Sequence, residues 1–305
     1  MAEEDWGDIF TNLRMSACRG RLQLFARQFF AEKKIDIGED NEDYVENMLK
    51  EEEKIAIAGL TNTLPLRTLS LPWLPKARRT AIYNIVFVMK IENPISLFSL
   101  LLLFSYYFFF ENLQFGGSLG VRKITIYAAV IYVDRFLSLV PKKRKILRIA
   151  VLLAYACLYL AFEEHEDYRG LLVSVDSRSY TESIMNLKSS VVTQFGGIVN
   201  FVTPIQFIKF FLSKLCKDFS RKEYARIKTV EVIMSTIGDV RLMSVRAFVV
   251  GAAATLLASN PNILTHEMIK EEINALPKKW MIPIDEMCSC YDRLLETNRH
   301  RLDIS

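Results

Sequence analysis

The stretch "IYAAVIYVDRFLS", residues 126–138, sets Asp134 and Arg135 side by side near the end of an otherwise apolar run. Wound at about 100° per residue, Ile126, Ala129, Val130, Val133, Phe136 and Leu137 share one face, Asp134 lies on its border and Arg135 lies opposite. A carboxylate beside a buried face is costly unless it is paired. The pattern therefore predicts a helix here and, for Asp134, a partner supplied by another helix.

Outward from this run, nearly every segment repeats with helical period. "NEDYVENMLKEEEK" (41–54) gathers Tyr44, Val45, Met48 and Leu49 on one side, with Asn41 or Asp43 available as a cap. "TLPLRTLSLPWLP" (63–75) carries three prolines and reads as an extended linker, its last proline opening a helix. Helices are expected at 76–90, 122–138, 145–162, 168–174 and 181–195, the last ended by Gly196 and Gly197. A second set is expected at 204–217, 221–237, 244–258, 265–275 and 283–297, started by Thr203, Ser220, Ser244, Thr265 and Pro283. Five helices and then five, without a strand, imply an all-α chain of duplicated units meeting near residue 202. The expected division is an N-terminal segment 1–75, a first unit 76–202, a second unit 203–297 and a tail 298–305.

Composition narrows the function. Lys and Arg total 39 against 35 Asp and Glu, a net charge of +4, too even to argue for a nucleic-acid partner. The acidic opening MAEEDWGD does not read as a secretory signal. Five cysteines form an odd, scattered set, which favours a reducing compartment. Cys288 and Cys290 stand too close for a zinc knuckle, and His165, His266 and His300 are far apart in sequence, so neither a metal nor a cofactor is expected. No nucleophile with its base, and no phosphate-binding glycine loop, marks the chain as an enzyme.

In the order and spacing of its pieces the sequence resembles a cyclin, and among cyclins the plant D-type. "ITIYAAVIYVDRFLS" resembles the second helix of a first cyclin box, "ILRIAVLLAYACLYLAFEE" (146–164) its central third helix, and "VTPIQFIKFFL" (202–212) the opening of a second box. "MSVRAFVVGAAATLLA" (243–258) and "IDEMCSCYDRLLE" (284–296) resemble later helices of that second box, and "EDYVENMLKEE" (42–52) the short helix that precedes the first. The resemblance covers about 41–297 apart from one segment. It implies tandem five-helix cyclin boxes after an N-terminal helix, and a non-enzymatic subunit that forms a heterodimer with a cyclin-dependent kinase and activates it in G1/S-type control. It also implies that Asp134 pairs with Arg78, in "KARRTAIYNIV" (76–86), to lock helix register.

The chain departs from the family in several places. Cyclins hold the kinase through a Lys late in the third helix and a Glu in the fifth; here Glu163 falls at the Lys position, or Ala161 if the register slips to match the following acidic pair, and Lys188 falls at the Glu position. Glu163, Glu164 and Lys188 are thus the expected kinase contact, with two readings open: a sign-swapped pair that still attracts, or drift to ordinary surface charges. The substrate-docking patch of the first helix falls at Ala81, Ile82 and Asn84, where the family wants a Trp, and no L-x-C-x-E segment for pocket proteins occurs. An apolar insertion at about 92–115 includes "ISLFSLLLLFSYYFFF" (95–110), which as a helix reaches about 24 Å, short of a membrane span. Intron-derived sequence, an interaction helix and a span remain alternatives for it. "PKKRK" (141–145) reads as a nuclear-import patch or a solvated turn, so the expected location is the nucleus, with the cytoplasm also open. Rival functions are a degenerate cyclin that binds no kinase, and a nucleic-acid adaptor of the TFIIB type, which shares the tandem fold but calls for a basic stripe.

Overall fold

The computed structural model describes residues 38–60, 73–90, 122–139, 146–165, 178–260 and 262–299. Most of the expected proline-rich linker, the apolar insertion, the basic patch 141–145, the helix over 168–174 and the two chain ends lie outside the described residues. Among the described residues there are ten α-helices and no strand. They are α1 (Glu42–Ile57), α2 (Trp73–Lys90), α3 (Lys123–Leu139), α4 (Ile146–His165), α5 (Arg178–Gln194), α6 (Ile208–Leu215), α7 (Lys222–Ser235), α8 (Ala247–Ser259), α9 (His266–Asn274) and α10 (Ile284–Asn298).

Local chemistry explains most of the boundaries. Asn41 caps α1, its Oδ1 accepting from the Asp43 N–H at 2.8 Å, and Thr265 caps α9 by accepting from Met268 N–H. After α5 the glycines take positive φ, 60° at Gly196 and 81° at Gly197, and their N–H groups close back on Thr193 and Val192, the pairing of a Schellman stop. Three expected starts are corrected. Thr203 opens a 3-10 turn, Pro204–Phe207, in which its own N–H donates to the Gln206 side chain at 2.7 Å, and α6 begins only at Ile208. Ser220 and Ser244 each fall inside short 3-10 turns, so α7 and α8 begin later, at Lys222 and Ala247. Ser220 is held in an Asx turn by Asp218, and the first turn of α8 takes its acceptor from a distant helix: Glu52 of α1 accepts from the Phe248 N–H at 3.3 Å.

Each group is organised around its third helix. α4 packs against α2, α3 and α5, and α8 packs against α6, α7 and α10. Every residue of α8 from Ala247 to Ala258 is buried. Gly251 lets α8 pack closely there: a Cβ would come 3.1 Å from the Pro204 carbonyl oxygen and 3.3 Å from Phe207, tighter than ordinary contact. Phe207, Phe210, Phe211, Phe248 and Trp280 fill this second core edge-on and tilted, while Tyr132, Phe195 and Phe201 close the end of the first.

The one-faced pattern read for 126–138 understates its burial. From Ile124 to Ser138 every residue of α3 is buried except Arg135, because α2, α4 and α5 cover one side and the second group covers the other. Tyr127 reaches across that seam to the Thr236 hydroxyl at 3.1 Å, and the Tyr132 hydroxyl donates to the Val199 carbonyl at 2.7 Å.

Arg78 stands at the centre of the same seam. Its Nε and Nη2 donate to the two Asp134 carboxylate oxygens at 2.8 and 3.0 Å, with Asp134 only 1% exposed and Arg78 6%. Nη2 also donates to the Ile237 carbonyl at 2.9 Å and Nη1 to the Gly238 carbonyl at 3.2 Å, both just beyond the C-terminal end of α7. The carboxylate thus meets the partner that its burial demands, and that partner is shared between both groups of helices.

Two consequences can be measured. Removing Asp134 as Asp134→Ala leaves a buried guanidinium without its counter-ion and is expected to lower the unfolding free energy by about 3–5 kcal/mol. In urea unfolding at pH 7, the double variant Arg78→Met with Asp134→Leu should lose less than the sum of the two single changes, and single losses under about 1 kcal/mol would contradict the shared role. The thiols offer a second check. Burial pushes Cys290 up to about 12 and Cys157 well above the ordinary thiol range, so alkylation of the native chain near pH 8 should modify Cys216 while sparing both, until denaturant exposes them.

Candidate functional site

The residues that the resemblance assigns to a partner contact fall on α4 and α5. α4 is a largely apolar helix, driven into the core by Leu152, Leu153, Ala156, Cys157, Leu160 and Ala161, and beyond Arg148 its next charged residues come in the last turn, at Glu163 and Glu164. α5 crosses it with a more polar surface. There the Ser189, Ser190 and Thr193 hydroxyls donate back to the carbonyls of Met185, Asn186 and Ser189, and so spend their protons within the helix.

Across this crossing Lys188 Nζ lies 2.5 Å from Glu163 Oε2 and 4.7 Å from the centre of the Tyr159 ring. Tyr159 and Glu163 are one turn apart on α4, which lets a single ammonium meet a ring face and a carboxylate together. The two charges differ in access: the Lys188 side chain is 15% exposed and that of Glu163 40%. Glu164 is exposed beside them, and the C-terminal end of α4 adds its partial negative charge. The outward character of the crossing is that of a hydrogen-bond acceptor, with its cation tucked beneath.

Other candidate residues are placed differently from expectation. Ala161 is fully buried, so the slipped register offers no surface group there. Ala81, Ile82 and Asn84 are buried as well, and the Asn84 amide donates to its own helix at the Thr80 carbonyl, 2.8 Å away. α2 turns these three side chains inward, into the layer that packs on α3 and α4. Arg135, read as lying opposite the buried face, is instead half-buried, its guanidinium 5.7 Å from the centre of the Phe201 ring. Tyr159 and Glu52 were missed. Tyr159 was within reach of the sequence through its four-residue spacing from Glu163; Glu52 was not, because its acceptor role depends on a helix that begins 195 positions later.

Among the described residues no group of three His, Cys, Asp or Glu side chains could hold a metal ion, and Cys288 and Cys290 are both buried in α10. No helix of the described residues is long and apolar enough to cross a membrane.

No family model matches the chain. It is 24% identical over 197 residues to Cyclin-D5-1 of Arabidopsis thaliana, covering 60% of each chain. It is 27% identical over 186 residues to Cyclin-D1-1 of Oryza sativa subsp. japonica, covering 57% of this chain and 50% of that one, and 29% identical over 156 residues to Cyclin-D4-2 of Arabidopsis thaliana, covering 49% and 50%. The chain spans half to three-fifths of the length of these relatives. With two groups of helices each built on its third member, and an Arg78–Asp134 pair buried between α2 and α3, this agreement makes the chain a divergent D-type cyclin-like protein.

Proposed function

We propose that this chain is a non-catalytic regulatory subunit that binds a cyclin-dependent protein kinase as a heterodimer through the α4–α5 crossing, and so favours the active kinase in G1/S-type control. The observation that carries this reading is the joined pair of Lys188 and Glu163 at the two positions by which cyclins hold their kinase. Its polarity is inverted, yet the two side chains still meet, which keeps α4 and α5 in the relative position that such a contact needs. A kinase bound here faces an acceptor where the family offers a donor, so the partner is one whose loops supply N–H groups or cations at that point. With the basic patch 141–145 read as an import signal, the proposed place of action is the nucleus.

A second reading is favoured by the same pair. Lys188 is largely covered and its charge is spent on Glu163 and Tyr159, which also suits a cyclin fold that no longer binds a kinase.

Kinase recovery decides between them. Purified cyclin-dependent kinases are captured by the chain, with and without residues 92–115, and scored by the activity recovered. For the kinase-binding reading, Lys188→Glu sets two carboxylates against each other and should cost roughly a hundredfold in recovery, while adding Glu163→Lys should restore most of it. No capture of any kinase by either form establishes the second reading.

A further inference from the structure

Lysine ordinarily lays its methylene stem on apolar surface and keeps its ammonium in water. Lys188 does the reverse. Its side chain is only 15% exposed, whereas Glu163, the carboxylate it meets at 2.5 Å, is 40% exposed and the more open of the two. Covering an ammonium is costly unless its charge is met closely and on more than one side. Glu163 supplies one contact. The Tyr159 ring supplies the other, its centre 4.7 Å from the Lys188 Nζ, within the range of a cation held over a ring face.

The spacing explains how the two contacts meet one ammonium. Tyr159 stands four positions before Glu163 on α4, so ring and carboxylate share a face of that helix, and Lys188 comes to both from α5. The neighbouring hydroxyls are no substitute donors, because those of Ser189, Ser190 and Thr193 donate to carbonyls within α5. The exposed charge at the end of α4 is therefore acidic, Glu163 with the exposed Glu164 next to it in sequence.

We infer that Tyr159 sets the polarity of the crossing. By holding the Lys188 ammonium under cover, its ring leaves Glu163 and Glu164 as the groups a partner meets, and so selects a kinase that presents a basic segment there. The placing of Lys188 follows from the fold alone, while the selection of a kinase rests on the kinase-binding reading. Tyr159 is thus a positioning residue that acts on the partner through Lys188. An aliphatic side chain of like size fills its place but gives the ammonium no ring face, and Lys188 then extends to water.

Amine acetylation of the full chain, read by mass spectrometry as the ratio of the Lys188 rate to the Lys228 rate, tests the first part. Lys228 on α7 is the control: its side chain is 27% exposed and paired with Glu231, so a general loosening of the fold speeds both lysines alike. Tyr159→Leu should raise the ratio roughly three- to tenfold, the scale of one part-buried cation–ring contact, and Tyr159→Phe, which keeps the ring, should stay at the parent value. An unchanged ratio in Tyr159→Leu, or an equal rise in Tyr159→Phe, overturns the assignment. Should Tyr159→Leu fail to fold, Tyr159→Met carries the comparison with the same expectation. Capture of purified cyclin-dependent kinases tests the second part. Recovery should fall by a like factor in Tyr159→Leu and hold in Tyr159→Phe, and unchanged recovery in Tyr159→Leu overturns the selecting role. If the parent captures no kinase, the kinase-binding reading fails and the selecting role with it, while the acetylation ratio still decides whether Tyr159 places Lys188.

Discussion

A carboxylate cannot stay ionised in a protein interior without a partner, and the chain meets that demand at Asp134 by committing Arg78 wholly to the seam. The consequence reaches beyond one ion pair. Because the guanidinium also donates to the Ile237 and Gly238 carbonyls in the turn after α7, the group that neutralises Asp134 of α3 also satisfies backbone acceptors of the second group. Helix register within the first group and the docking of the second upon it are satisfied by a single planar fork, whose fixed geometry ties each to the other. Tyr127 on Thr236 and Tyr132 on Val199 extend this polar line through an otherwise apolar interface.

Polar groups shared between distant segments recur in this molecule. Glu52 serves α8 from α1, and Glu42 bridges Lys214 and Lys279 from the start of the same helix, so that α1 is held against the second group at both ends. At the α4–α5 crossing the same device recurs. Lys188 and Glu163 join two helices by attraction, which would hold the crossing whichever helix carried which sign. Fold and recognition can diverge at one pair of positions, because packing needs only that the charges be opposite, whereas a partner reads which is outermost.

The architecture was legible because its signals are local. Helical periodicity placed the described helices within a few residues, Asn41, Thr265 and the Gly196–Gly197 pair marked ends through their own side chains or backbone freedom, and the apolar run 146–162 identified the helix on which its neighbours pack. The misplaced starts at Ser220 and Ser244 share one cause. A hydroxyl residue at a plausible position was read as a cap, but a 3-10 turn intervened, and the acceptor that α8 required arrived from α1. The burial of Ala81, Ile82 and Asn84 was hidden for a related reason: they carry no sequence mark that tells an inward face from an outward one when the helix is covered on several sides.

By itself the sequence determined that the chain is all-helical and that Asp134 must be paired; each follows from residue types and short spacings along the chain. Only the tertiary structure decided that Arg78 also holds the turn after α7, that Lys188 rests between Tyr159 and Glu163, that Ala161, Ala81, Ile82 and Asn84 are buried, and that Glu52 accepts from the start of α8. The physical reason is that burial and hydrogen-bond satisfaction belong to the assembled interface: a charge, a carbonyl and a ring acquire their cost and their partner only when segments remote in sequence exclude water together.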